Sequence, residues 1–308
     1  MAVRASMFDG MDVGFVREQV MLGSFSTWKI GGPADVLVEP GNDQQLQTLL
    51  TVLYDLKINW TVLGRGSNVL ISDEGVRGVV IRLASEYEKI AFQGDKVVAG
   101  AGYSLIKLAS IAAKEGLSGL EFAGGIPATV GGAVYMNAGA HGGDFSDIFD
   151  FADGFLVDGR SVRWSKEDLT FSYRHTSLHQ TQAIVTRVGL QLRHGDRKQI
   201  GAAMAGHKFR RLQTQPLMLP CCGSVFRNPL IDPERMYAAQ LIERAGLKGF
   251  QIGGAQISLL HANFIINTGT ASAADVLKLI LHIQKTVRDA YDVQLEPEVR
   301  MLGVFPMV

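Results

Sequence analysis

The segment "EFAGGIPATVGGAVYMNAGAHGG", residues 121–143, sets the tightest limits on how this chain folds. It carries seven glycines in 23 residues and follows neither the 3.6-residue period of a helix nor the two-residue alternation of a strand. Glycine permits backbone conformations and close approaches that a Cβ forbids, so such a run is either flexible linker or backbone pressed against a ligand. Phe122, Ile126, Pro127, Val130, Val134, Tyr135 and Met136 are interleaved with the glycines, and linkers lack such residues. The segment is therefore expected to be ordered against a ligand.

On either side the patterns are more regular. "ADVLVEP" (34–40) reads as a strand, and residues 43–57 place Leu46, Leu49, Leu50 and Leu53 on one helical stripe behind the capping candidates Asn42 and Asp43. "WTVLG" (60–64) and "GVVIRL" (78–83) are short strands bracketing a loop, and residues 96–116 run from strand into helix. Asp158-Gly159 marks a hairpin within 151–164, and 183–193 alternates as a strand. Helices are expected over 196–213, 234–246 and 272–292, the last capped by Ser272, with a buried strand at 261–267. This change in character puts a domain boundary at 200–215.

Composition narrows the class of partner. Thirty basic against thirty acidic residues leave no net charge to attract nucleic acid or an anionic membrane. No run of about 18 apolar residues could span a bilayer. Asp9, Asp12 and Glu18 interrupt the N-terminal segment where a secretory signal needs an apolar core, so a cytoplasmic protein is expected, with no obligate protein partner evident.

Several residues offer chemistry, each with an ordinary alternative. Cys221 and Cys222 are adjacent, and a Cα spacing of about 3.8 Å is below the disulfide range. No CxxC pair or histidine spacing supports a metal site, so both are expected to be packing. There is no GxxxxGK[ST], and "GAGYSL" (100–105) lacks the third glycine of a dinucleotide fingerprint. "GRGSN" (64–68) is either a tight loop or a set of main-chain and side-chain donors for a pyrophosphate. Arg174 in "FSYRHTSL" is suited to clamping a carboxylate or to capping a strand end. Glu296, Glu298 and Arg300 alternate on one face of an expected strand, and Ser224 is a poised hydroxyl or a turn residue.

Taken in order, "FSTWKIGGPA" (25–34), "LGRGSNVLISD" (63–73), "GIPATVGGAVYMNAGAHG" (125–142), "YRHTS" (173–177), "RRLQTQP" (210–216), "CGSVFRNP" (222–229), "GFQIGGAQIS" (249–258), "HANFIIN" (261–267) and "LEPEVRMLG" (295–303) resemble the UDP-N-acetylenolpyruvoylglucosamine reductase family, MurB. The resemblance implies an α+β fold of the vanillyl-alcohol-oxidase/PCMH type: FAD-binding subdomains at 1–83 (with 302–308 a candidate addition to it) and 84–212, and a substrate-binding domain at 213–301. It implies non-covalent FAD, NADPH as hydride donor and a UDP-sugar substrate, with no metal. Gly64, Arg65, Gly66, Ser67 and Asn68 would hold FAD together with Gly125, Ile126, Pro127, Thr129, Gly131, Gly132, Asn137 and Gly139. Arg174, Ser224 and Glu298 would be catalytic: Arg174 meets the substrate carboxylate, Glu298 acts there as a neutral acid or orients Arg174, and Ser224 protonates C2. Tyr173, Arg211, Asn228 and His141 would bind substrate. The tyrosine-bearing insertion of the longer family type is missing after Arg193, which points to the short type II form, and His141 stands where a tyrosine often lies. A catalytically silent binder lacks a use for Arg174, Ser224 and Glu298 together, and a flavin oxidase lacks a use for a carboxylate-handling set.

Overall fold

The structure is a computed structural model and describes residues 3–231 and 234–305. The chain divides into two compact units, one of Met1–Glu18, Asp35–Arg65 and Gly78–Arg210, the other of Gln19–Ala34, Gly66–Arg77 and Arg211–Val308. One division falls at 210/211, within the span marked by the change in sequence character. The expected partition at 83 and 212 cuts the chain elsewhere, because 19–34 and 66–77 pack with the C-terminal third.

In the first unit, helix α1 (Asp43–Asp55) starts where Asn42 accepts the Gln45 N–H at 2.9 Å. It buries Leu46, Leu49, Leu50 and Leu53 in a core with Val36, Val38, Val79 and Ile81. Those four come from a sheet ordered Phe15–Met21, Pro33–Glu39, Val76–Ile81, Trp60–Val62. Phe15–Met21 had no legible sequence signal; it is an edge strand whose residues are exposed or half-buried, so no apolar alternation marks it. A second sheet runs Ser161–Ser165, Phe149–Leu156, Ala183–Gln191, Lys96–Gly100, Ile90–Gln93, with every neighbouring pair antiparallel. The Asp158-Gly159 turn joins its first two strands, and Gly159 takes a positive φ of 82°.

Helices α2 (Leu105–Lys114) and α3 (Val130–Tyr135) share the core of that second sheet. Helix α3 rises inside the glycine-rich segment, and its first turn explains part of the glycine content. A Cβ on Gly131 would stand 2.7 Å from the Ala101 Cβ, and bare Gly131 instead donates to the Ala101 carbonyl at 2.9 Å. Gly139 likewise leaves room for Asp144, whose Cβ would be 2.5 Å away. At these two positions the missing Cβ is required by close packing against the protein's own residues. Helix α4 (Arg197–Thr214) follows, burying only Ile200 among its residues.

The second unit packs α5 (Ala238–Arg244) and α6 (Ala273–Tyr291) with a three-stranded sheet ordered Gln251–Ile252, Ala255–Ile257, Ile265–Asn267. Ser272 caps α6 in a capping box with Asp275, and the Asp73 carboxylate accepts the Ala273 and Ala274 N–H groups at 2.8 and 2.9 Å. Trp28 is buried in this core; its indole N–H donates to the Ile265 carbonyl at 2.7 Å, and Asn267 Nδ2 donates to the Trp28 carbonyl at 2.9 Å. Three expectations shorten. Helix α5 begins at Ala238, and the strand expected at 261–267 is confined to Ile265–Asn267 because the Phe264 N–H turns back to His261. Only Arg300–Leu302 of the C-terminal stretch is a strand, parallel to Val69–Ile71, so Glu296, Glu298 and Arg300 do not form one strand face.

Candidate active site

In the second unit, residues 224–228 and 296–298 are laced together. Glu298 N–H donates to the Val225 carbonyl at 2.7 Å, Arg227 N–H to the Glu296 carbonyl at 2.9 Å, and Phe226 bridges Pro297. The structure thus brings Ser224 and Glu298 onto neighbouring stretches. Asn68 adds a third strand of contact: its Nδ2 donates to the Glu298 carbonyl at 3.3 Å and its own carbonyl accepts from Arg300 at 3.1 Å.

Ser224 is half-buried between Gly223, at φ 82°, and fully enclosed Val225 and Phe226. Its hydroxyl makes no hydrogen bond to any described residue, so the proton is available to an incoming group. Asn228 Oδ1 accepts the Ala238 N–H at 3.1 Å at the start of α5, which leaves its NH2 end facing no acceptor among the described residues. Arg211, near the end of α4, holds Gln215 Oε1 at 2.9 Å from Nε; burial lowers its pKa, against the opposing effect of Cys221.

Both cysteines are free thiols. Burial pushes the Cys222 thiol well above the ordinary range, with Cys221 and Glu298 acting in the same direction, and Cys221 is also raised by burial. Neither is a thiolate poised for chemistry. Among the described residues no cluster of His, Cys, Asp and Glu is arranged to hold a metal ion.

Asn263 carries a role that its sequence context did not disclose. Its side chain is 4% exposed and grips Phe226 at both ends: Phe226 N–H donates to Oδ1 at 2.9 Å and Nδ2 donates to the Phe226 carbonyl at 2.8 Å. The Val225 N–H reaches the Asn263 carbonyl at 2.9 Å. One signal was present. An asparagine between Ala262 and Phe264 in "HANFIIN" must find partners if that run is buried.

In the first unit, Tyr173 and Arg174 form the two-residue tip of a hairpin whose arms pair Ser172 with His175 and Phe171 with Thr176. Arg174 sits at φ 56°, a region where glycine is the usual occupant and where an arginine costs about 1–2 kcal/mol. Its guanidinium carbon lies 5.1 Å from the Tyr173 ring centroid. Two side-chain bonds hold the hairpin: Asn137 Nδ2 to the Ser172 carbonyl at 3.0 Å, and Thr176 Oγ1 to the Tyr135 carbonyl at 2.9 Å. At about 1 kcal/mol each these offset the strain at Arg174. His141, exposed and at φ 56°, stacks on His207 of α4 with ring centroids 4.0 Å apart and planes 9° from parallel.

The loop 64–68 and the start of α3 differ as candidate phosphate cradles. At α3, Val130 N–H donates to the Tyr103 carbonyl, Gly131 N–H to the Ala101 carbonyl and Gly132 N–H to Thr129 Oγ1, so these donors are used within the protein. The N–H groups of Gly64, Arg65, Gly66, Ser67 and Asn68 find no acceptor among the described residues, which fits the anionic pyrophosphate of a dinucleotide. Gly66 holds φ 64°, and a Cβ there would strike the Phe25 carbonyl oxygen. Gly64 leaves room for Thr129, whose Oγ1 would lie 2.7 Å from a Cβ.

Residues 34–165 match an FAD binding domain family, and residues 215–302 match the family described as UDP-N-acetylenolpyruvoylglucosamine reductase, C-terminal domain. The chain is 48% identical over 294 residues to the UDP-N-acetylenolpyruvoylglucosamine reductase of Halalkalibacterium halodurans, covering 95% of this chain and 96% of that protein. The Bacillus subtilis protein of the same name is 47% identical, with 95% of each chain covered. The crystal structure of UDP-N-acetylenolpyruvylglucosamine reductase (MurB) from Thermus caldophilus is 39% identical and superposes with a TM-score of 0.82, covering 94% of this chain and all of that one.

Proposed function

The chain belongs to the UDP-N-acetylenolpyruvoylglucosamine reductase family of flavin-dependent oxidoreductases, and we propose that it reduces UDP-N-acetylglucosamine enolpyruvate to UDP-N-acetylmuramate in peptidoglycan precursor synthesis in the cytoplasm. Bound non-covalently, FAD would supply the hydride chemistry between NADPH and the enolpyruvyl C3. The N–H groups of Gly64 to Asn68 would hold its pyrophosphate.

The protein's own task is to manage charge and a proton. Arg174 would place its planar guanidinium on the substrate carboxylate, where negative charge grows as the double bond is lost. Glu298 would assist as a neutral acid, because two bare carboxylates repel. Ser224 would deliver its proton to C2, a step that needs a strongly basic enolate within about 3 Å of the hydroxyl. Asn228, through its NH2 end, and Arg211 would hold the sugar nucleotide and its phosphates, with Tyr173 and His141 as further substrate contacts. The observation that carries this reading is the Ser224 hydroxyl, unpartnered among the described residues on a stretch bonded directly to Glu298.

The test is anaerobic and separates the half-reactions. NADPH is expected to bleach the flavin of the purified protein, and the enolpyruvyl substrate to restore its colour. Ser224→Ala should leave the bleaching intact and slow the return of colour by roughly 10²–10⁴-fold, the scale of a lost acid catalyst. Recolouring only by air, or equal loss of both half-reactions, would refute the assignment.

A further inference from the structure

Asn137 lies in the glycine-rich segment, where the family resemblance makes it an FAD contact. Its surroundings point elsewhere. The residue is 2% exposed, and each end of its amide is engaged within the first unit: Nδ2 donates to the Ser172 carbonyl at 3.0 Å and to Asp144 Oδ2 at 3.3 Å, and Oδ1 accepts the Ser146 N–H at 3.1 Å. Its main-chain N–H is taken as well, by the Val134 carbonyl at 3.1 Å.

The backbone gives a reason for this residue type. Asn137 sits at φ 42° immediately after the Met136 cap of α3, and the Ala138 N–H returns to the Ala133 carbonyl at 2.8 Å. That pair of bonds is a Schellman ending, in which the left-handed position is usually glycine and sometimes asparagine. Glycine would end the helix equally well but would reach nothing. Asparagine ends the helix and sends an amide to Ser172, the residue paired with His175 across the tip that carries Arg174. Thr176 Oγ1 closes the same seam from the other arm, on the Tyr135 carbonyl.

We propose that Asn137 is a positioning residue for Arg174: it ties the end of α3 to the hairpin and holds the strained tip in the conformation from which the guanidinium meets the substrate carboxylate. This rests on the reading of Arg174 given above. A tip held at an unfavourable φ relaxes when its tie is cut, and a displacement of about 1 Å at a reacting group can lower a rate about 10²-fold.

Asn137→Gly separates the two jobs, because it keeps the left-handed helix ending and deletes only the amide. The measurements are FAD affinity by fluorescence titration of the apoprotein, thermal melting, flavin reduction by NADPH, and flavin reoxidation by the enolpyruvyl substrate. They are made on the wild type, Asn137→Gly, Arg174→Ala and the double variant. Asn137→Gly is expected to slow reoxidation by about 10–100-fold without changing FAD affinity or reduction by NADPH, and to add nothing in the Arg174→Ala background. Weakened FAD binding or slowed reduction would make Asn137 a cofactor contact and overturn the proposal, as would full additivity with Arg174→Ala or unchanged reoxidation. Normal reoxidation in Arg174→Ala alone would overturn both the proposal and the role of Arg174 on which it stands. Should Asn137→Gly melt below the assay temperature, all four proteins are compared at a lower temperature at which Asn137→Gly is still folded, with the same pattern expected and the same outcomes overturning the proposal.

Discussion

Asn263→Ala is the sharpest test of how the stretch bearing Ser224 is held. The substitution removes both bonds between the asparagine amide and the Phe226 main chain, at 2.9 and 2.8 Å, in a location where Phe226 and Asn263 are almost wholly enclosed. A buried main-chain group left unpaired costs about 1–3 kcal/mol, so the two together should lower stability by roughly 2–6 kcal/mol. That is a large share of the 5–15 kcal/mol that typically separates folded from unfolded protein. Asn263→Asp provides the internal control. It keeps an acceptor for the Phe226 N–H but turns a carboxylate oxygen toward the Phe226 carbonyl in an enclosed site, so at pH 7 the loss should be at least that of Asn263→Ala and should shrink in acid, where a protonated carboxyl can donate to that carbonyl. Urea unfolding of the three proteins, followed by intrinsic fluorescence, measures both. In the same variants flavin reoxidation by the enolpyruvyl substrate should slow more than reduction by NADPH, because Ser224 lies two residues from the released carbonyl. A destabilisation below about 1 kcal/mol for Asn263→Ala would show that water replaces the amide freely and that the clamp is not what orders the stretch.

Three further outcomes follow from the geometry. Gly66→Ala combines a positive φ of 64° with a collision against the Phe25 carbonyl, so it should abolish FAD retention, whereas Gly64→Ala meets only the Thr129 side chain and should be milder; equal retention in both would remove the argument for the loop. His261 accepts the Asn263 N–H at 3.2 Å through Nδ1, and burial, then Lys248, lowers its pKa from the ordinary 6.5. The unfolded chain therefore binds more protons, so stability is complete above pH 6.5 and declines as pH falls through the folded-state value; His261→Gln should flatten that decline in urea titrations at pH 5 and 7.5, and an unchanged slope would contradict it. Cys222, enclosed and with its thiol pushed up by burial, should resist alkylation at pH 8 in the folded protein and react in urea, and rapid labelling of the native form would count against that enclosure.

Much of the local structure was legible because the forces that set it act over a few residues. The leucine stripe of α1 behind Asn42, the Ser272 cap of α6 and the Asp158-Gly159 hairpin each depend on neighbours within about one or two turns of chain, and each formed where its pattern stood. The serine between Gly223 and Val225 and the arginine after Tyr173 were likewise visible as candidate chemistry. The reason for individual residues was not, because it depends on partners far away in sequence. Gly131 is bare to admit Ala101, Asn263 answers to Phe226 at a separation of 37 residues, Asn137 to Ser172 at 35, and Trp28 to Ile265 at 237. The grouping of 19–34 and 66–77 with the C-terminal third is of the same kind. Periodicity and capping are properties of a short stretch of chain; satisfying a buried amide or excluding a Cβ is a property of whatever the fold brings beside it.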